Sequence, residues 1–140
     1  MTSDASPTQS PVFPTEGAAL RRVGVIDVGS NSVRLVVFDG AARSPAYFFN
    51  EKVLCGLGAG LAQSGRLNPE GRKKAAAAIS RFTTLARRMH LTHLMGIATA
   101  AVREAQDGPA FRDEIEATTG LRLRVATGQE EARLAAQGVL

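Results

Sequence analysis

Two apolar runs open the patterned part of the chain. Val23-Gly24-Val25-Ile26 continues through Asp27 and Val28, and residues 33–38 follow with Arg34 as their one charge. Gly29-Ser30-Asn31-Ser32 separates them. Two β-rich runs joined by a short Gly/Ser/Asn turn predict a hairpin. Both runs are mostly apolar on both faces, which predicts interior strands with helices packed over them. Asp39-Gly40 reads as a turn, and residues 46–54, with Tyr47, Phe48 and Phe49, as a third strand.

The period then changes. Asn68-Pro69-Glu70 is a helix start, with an N-cap, Pro at the first position and an acid. Ala75, Ala78, Ile79, Phe82, Ala86 and Met89 recur at three- and four-residue steps. Arg72, Lys73, Arg87 and Arg88 fall mainly off that stripe and are expected as a solvated basic face. Residues 92–98 read as a short strand that Thr99 ends, and residues 100–103 begin a helix. Asp107-Gly108-Pro109 interrupts or restarts it, Phe111 and Ile115 make an i,i+4 pair, and Gly120 stops it. Leu121, Leu123 and Val125 alternate with Arg122, Arg124 and Ala126, as in a half-buried strand. Thr127-x-x-Glu130 is a capping box that opens the last helix. Three strands, then helix–strand–helix–strand–helix, predict an α/β fold with a mixed sheet flanked by helices.

Residues 1–20 are rich in Ser, Thr and Pro and are expected to form a disordered tail, leaving 21–140 as one domain. Seventeen Lys and Arg against 13 Asp and Glu give +4, which suits an anionic ligand or nucleic acid. The cations are scattered and aromatics are only 5%, so there is no stacking platform and nucleic acid is the weaker inference. Cys55 is the sole cysteine. No intrachain disulfide can form, which fits a reducing cytoplasm, and a buried inert thiol is expected. His90 and His93 read as helix-end and strand-start residues, not zinc ligands. Residues 1–20 lack a basic start followed by an apolar core, so no signal peptide is expected, and no run approaches a membrane span.

The hairpin turn carries the candidate chemistry. An acid closes the first strand, Gly29 lets main-chain N–H groups approach an anion, and Ser30, Asn31 and Ser32 add donors. Asp27 can hold a hard cation such as Mg²⁺, usually through water. An acid beside a phosphate cradle is what phosphoryl chemistry needs. The same residues also make an ordinary hairpin turn. Gly56-Leu57-Gly58-Ala59-Gly60 superficially matches a dinucleotide loop, but that loop must open a helix directly. Gln63-Ser64-Gly65-Arg66-Leu67 intervenes before any helix signal, so a Rossmann reading is rejected. A mobile loop bordering a site, or a simple connector, remains.

Asp27-Val28-Gly29-Ser30-Asn31-Ser32-Val33-Arg34-Leu35 resembles the first phosphate loop of the exopolyphosphatase / guanosine pentaphosphate phosphohydrolase (Ppx/GppA) family. Gly56-Leu57-Gly58-Ala59-Gly60-Leu61, Ala98-Thr99-Ala100-Ala101-Val102-Arg103-Glu104-Ala105 and Thr127-Gly128-Gln129-Glu130-Glu131-Ala132-Arg133-Leu134 match in the same order. The resemblance covers residues 23–140 and implies a ribonuclease-H-like half-domain of the actin-like ATPase superfamily. It implies a phosphoanhydride hydrolase that removes terminal phosphate from inorganic polyphosphate or guanosine pentaphosphate, with Mg²⁺ as cofactor. By resemblance Asp27 belongs to the metal side, Gly29, Ser30, Asn31 and Ser32 cradle phosphate, Arg103 contacts phosphate and Glu131 is the catalytic base. From the residues alone, Arg103 is equally a surface helix cation. Glu131 is equally an acid that favours the helix dipole by about 0.3–1 kcal/mol. Glu130 fits the capping role better, which leaves Glu131 available.

The implied partner is polyphosphate or a guanosine polyphosphate in the cytoplasm, with no nucleic acid and no membrane. A homodimer of the full-length parent is compatible with the resemblance. A kinase of the same superfamily and a non-catalytic anion-binding module are the competing readings, and the Glu-Glu-Ala-Arg context of Glu131 argues against the kinase. In the resembled family a second Asp/Gly/Gly/Gly/Ser phosphate loop follows. The chain ends on apolar Gly138-Val139-Leu140 without that loop, so a fragment is expected, inactive or nearly so by itself.

Overall fold

The structure, a computed structural model, describes residues 22–39 and 46–137. The expected tail over 1–20, Gly40 of the expected turn, the side chains of Tyr47 and Phe48, and residues 138–140 lie outside the described residues. Strands β1 (Arg22–Val28), β2 (Ser32–Asp39) and β3 (Ala46–Leu54) form an antiparallel meander. A one-turn helix α1 (Leu61–Ser64) and the long α2 (Pro69–Arg88) lead to β4 (His93–Ala98), which returns parallel to β1. Helices α3 (Ala100–Glu104) and α4 (Gly108–Thr119) precede β5 (Leu123–Val125), which is parallel to β4, and α5 (Gly128–Ala136) follows. The sheet order is β3-β2-β1-β4-β5, so β1 is central. This is the ribonuclease-H-like half-domain: a mixed five-stranded sheet flanked by helices.

Successive strand residues point to opposite faces. Ile26 and Val28 of β1 join Val33, Leu35 and Val37 of β2 in one cluster with Ile79 and Phe82 of α2 and Phe111 and Ile115 of α4. Each of those large side chains, fully buried, contributes about 1.5–3 kcal/mol. Val25 faces the other way, with Ile97, Ala126 and Leu134 of α5. Asp27 is two residues beyond Val25 and shares this second face.

Helix α2 begins as its sequence dictates. The Asn68 Oδ1 accepts from the Gly71 amide at 2.8 Å and Pro69 takes the first position. Gly71 is buried against the preceding loop, and a Cβ there would stand 2.5 Å from the Gly56 carbonyl oxygen. The helix can lie so close only because that atom is missing.

Two expectations are corrected. A helical turn does follow Gly60 directly, bounded by Gly60 and Gly65 in left-handed conformation. It buries none of its residues, so no apolar stripe announced it. It follows an antiparallel strand rather than opening a βαβ crossover, which keeps the Rossmann reading excluded. Arg72 is not part of a solvated face. It donates to Asp107 Oδ2 at 3.0 Å and to Glu114 Oε1 at 3.0 Å, and stands 5.7 Å over the Phe111 ring. Asp107 in turn accepts from the Leu67 amide at 2.9 Å. It was expected only to mark a helix break, and it fastens α4 to the start of α2.

Asp107→Ala should lower unfolding free energy by about 1–3 kcal/mol in urea, because it leaves a buried amide and a guanidinium without their acceptor. Asp107→Asn, which keeps the amide acceptor, should lose less. Equal losses would show that the Leu67 bond is not what matters.

Candidate active site

The β1–β2 turn closes with the Gly29 amide donating to the Ser32 carbonyl at 2.9 Å. Its carbonyls are held from behind. The Asn31 oxygen accepts from the Cys55 and Gly56 amides at 2.8 and 3.0 Å, and the Ser30 oxygen from the Gly58 amide at 2.9 Å. The Ser30 and Asn31 amides donate to no backbone acceptor among the described residues, and both residues are exposed. A turn whose Ser30 and Asn31 carbonyls are occupied while the amides of the same residues have no backbone acceptor offers donors, as an anion site requires. Glycine 58 permits this clamp, since a Cβ there would come within 3.1 Å of the Ser30 Cβ. The glycine-rich loop is therefore a bound brace, not a loose connector.

Asp27 ends the central strand one residue before Val28, directly across from Arg34. Its Oδ1 is buried and has no hydrogen-bond partner. Arg34 donates to Asn50 Oδ1 at 3.3 Å. Burial raises the Asp27 carboxyl from 3.8 to about 6, Arg34 works against that, and Glu131 pushes it further up. The last effect records that the two carboxylates share one region.

Glu131 lies in the first turn of α5. The capping box is complete: Thr127 Oγ1 accepts from the Glu130 amide and Glu130 Oε1 from the Thr127 amide, both at 3.0 Å. Glu130 also pairs with Arg124 at 3.2 Å. Glu131 is left to Arg103, whose Nη1 donates to it at 3.4 Å and to the Ala126 carbonyl at 2.7 Å. Arg103 reaches from α3 across to the start of α5 and is not a free surface cation. Helix α3 itself is anchored to the end of β1, where the Val28 carbonyl accepts from the Thr99 amide at 3.1 Å.

Arg103 and Glu131 thus meet at the start of α5, α3 is anchored to the end of β1, and Glu131 stands close enough to Asp27 to raise its carboxyl. Arg34 and Thr99 were missed as contributors. Arg34 carried a signal, the one charge in an apolar strand, whereas Thr99 had none beyond ending a strand. Cys55 is buried as expected, and burial pushes its thiol up, which disfavours the thiolate.

A cation can be tested against these donors. Among the described residues no three His, Cys, Asp or Glu side chains cluster as metal ligands. Mg²⁺ commonly takes one or two carboxylates together with water and substrate phosphates. An orphaned Asp27 oxygen near Glu131 fits that pattern.

The fold and this edge define an α/β half-domain with a mixed five-stranded sheet, a buried carboxylate oxygen near the end of its central strand and free backbone donors in the turn that follows. Comparison with known proteins narrows the class. The model of the Ppx/GppA phosphatase family matches residues 36–140, and the chain belongs to that family. Exopolyphosphatase 1 of Mycobacterium tuberculosis is 32% identical over 114 residues, covering 81% of this chain and 33% of the relative. Exopolyphosphatase 2 of the same organism is 32% identical over 131 residues, covering 87% and 41%. The chain therefore spans a third to two fifths of the length of these relatives. Among solved structures, a Ppx/GppA family member from Aquifex aeolicus superposes with TM-score 0.80 at 25% identity, covering 86% of this chain and 40% of that one. An exopolyphosphatase from Cytophaga hutchinsonii gives TM-score 0.76 at 29% identity, covering 81% and 36%.

Asp27 ties stability to pH. The folded state holds this proton more tightly than the unfolded chain, so stability falls as pH rises from 3.8 to about 6, and the deficit is complete above that. Asp27→Asn should be more stable than the parent above pH 6 by roughly 1–2 kcal/mol after solvent screening. The two should converge below about pH 4. Denaturation curves across pH check this, and a constant difference at every pH would contradict it.

Proposed function

We propose that these residues form one wall of a phosphoanhydride hydrolase site that removes terminal phosphate from inorganic polyphosphate or from guanosine pentaphosphate. The observation that carries the reading is an Asp27 oxygen without a hydrogen-bond partner, within electrostatic reach of the Arg103–Glu131 pair, at the start of a turn whose Ser30 and Asn31 amides have no backbone acceptor among the described residues. The relatives named exopolyphosphatase support polyphosphate as the substrate.

The Ser30 and Asn31 amides receive oxygens of the terminal phosphate. Arg103 has five donors; Nη1 serves Ala126 and Glu131, Nη2 stands 3.6 Å from Glu104, and the donors that remain are offered to the same phosphate. Glu131 accepts a proton from water as the water oxygen forms a bond to phosphorus. The bridging P–O bond breaks and its electron pair leaves on the shortened chain. The proposed cofactor is Mg²⁺ held by Asp27, which when bound supplies charge neutralisation to the phosphate oxygens. The proposed location is the cytoplasm, where the lone buried Cys55 stays reduced. Among the described residues no helix is long and apolar enough to cross a membrane.

Phosphoryl transfer depends on positioning and electrostatics from all sides of the phosphate. The described residues supply one side. The 140-residue chain alone should therefore release phosphate from polyphosphate far more slowly than ~1 per second. Turnover at ordinary enzyme rates in a phosphate-release assay would contradict the one-wall reading. In any form of the protein that turns over polyphosphate, Glu131→Gln should lower kcat by roughly 10²–10⁴-fold with little change in substrate binding. Near-normal turnover would return Glu131 to a helix-dipole role.

A further inference from the structure

At the sheet edge away from the turn, β1 and β4 begin, α2 and α4 end, and the helices part over a cleft of about 320 Å³. Small-ligand pockets start at about 300 Å³. The floor is Ala86, Leu91, Leu94 and Leu121. Two strand glycines make room for it. A Cβ on Gly24 would meet Leu91 at 2.6 Å and Leu94 at 3.1 Å, and one on Gly96 would meet Leu121 at 3.1 Å. Without those atoms the leucines settle onto the strands and the space above them stays open.

The polar groups of the wall divide by chemistry. Thr83 and Thr119 donate their hydroxyls to Ser80 and Ile115 carbonyls at 2.8 and 2.7 Å. Carbonyls at both helix ends are capped: Ala86 by the Leu91 amide, Arg87 by the His90 amide and Glu116 by the Gly120 amide. Arg87 and His90 remain, and neither side chain has a hydrogen bond or ion pair among the described residues. Among the described residues no carboxylate lines the cleft. His90 also adopts φ 55, a helix-terminating conformation in which glycine is at ease. An imidazole is carried there at the expense of backbone strain.

We infer that this cleft is a second ligand site, which takes a small amphipathic anion with its apolar body on the leucine floor and its head against Arg87 and His90. It stands independently of the phosphoanhydride reading, since it shares no residue with the candidate active site.

The test is an amide chemical-shift titration of the 140-residue chain with octanoate, octylamine and acetate. Octanoate should saturate with Kd on the order of 1 mM and shift Leu91, Leu94 and Gly120. Octylamine has the opposite charge and acetate lacks the body, and each should bind at least about tenfold more weakly. Arg87→Glu, at an exposed position, should fold normally and weaken octanoate at least about tenfold. His90→Gly should keep or raise the thermal midpoint while weakening octanoate several-fold, which separates a ligand role from a helix-end role. Equal binding of octanoate and octylamine, or an unaffected Arg87→Glu, would overturn the inference. Octanoate shifts confined to residues 1–21, marking displacement of that segment, would overturn it as well.

Discussion

The constraint on which the site depends is a half-buried carboxylate, one of whose oxygens is shut off from water and accepts no hydrogen bond. Asp27 could have been paired with Arg34, its cross-strand neighbour, but that guanidinium is engaged with Asn50. Arg103 makes its contacts with Ala126, Glu131 and Glu104 and none with Asp27. Glu131 then adds like charge to the same region. Burying an ionised group without a partner opposes folding, and such arrangements cluster where chemistry is done. The central position of β1, hydrogen-bonded to β2 on one side and β4 on the other, holds Asp27 in place despite this. A divalent cation would turn the unfavourable interaction into a favourable one.

The anion-facing turn is equally a product of its surroundings. A four-residue turn can turn its peptide groups in several ways, and here the glycine-rich loop selects one by occupying the Ser30 and Asn31 carbonyls. That loop is fastened in turn. Leu57 accepts from the Asn68 amide at 2.9 Å, Gly65 accepts from the Gln106 amide at 2.8 Å, and Asp107 holds Leu67 and Arg72. The chain of contacts runs from the α3–α4 junction through the loop to the turn. Placement of the Ser30 and Asn31 amides thus rests in part on a buried acid at the start of α4.

The regular elements were legible because each has a local cause. The apolar runs of β1 and β2, the Asn68-Pro69 start of α2 and the Thr127/Glu130 box of α5 are written within a few residues. The assignment of Glu130 to capping and Glu131 elsewhere followed from spacing alone, and the hydrogen bonds agree with it. What was not legible depends on contacts across the fold. Nothing near Arg72 announces Asp107, 35 residues later. Helix α1 has no buried residue to create a period. The unpartnered oxygen of Asp27 is a property of where Arg34 and Arg103 point, which composition cannot carry. Family resemblance supplied the roles of Arg103 and Glu131, and the structure supplies their proximity.

The central claim is that the Asp27 edge and the Ser30–Asn31 amides form a joint site for a cation and a phosphate chain. Its most direct test is calorimetry paired with amide chemical shifts as tripolyphosphate is added to this chain with and without Mg²⁺. Binding should strengthen severalfold with Mg²⁺, shift the Ser30 and Asn31 amides, and lose its Mg²⁺ dependence in Asp27→Ala. Binding that ignores Mg²⁺, or that shifts residues elsewhere while leaving the turn untouched, would contradict it.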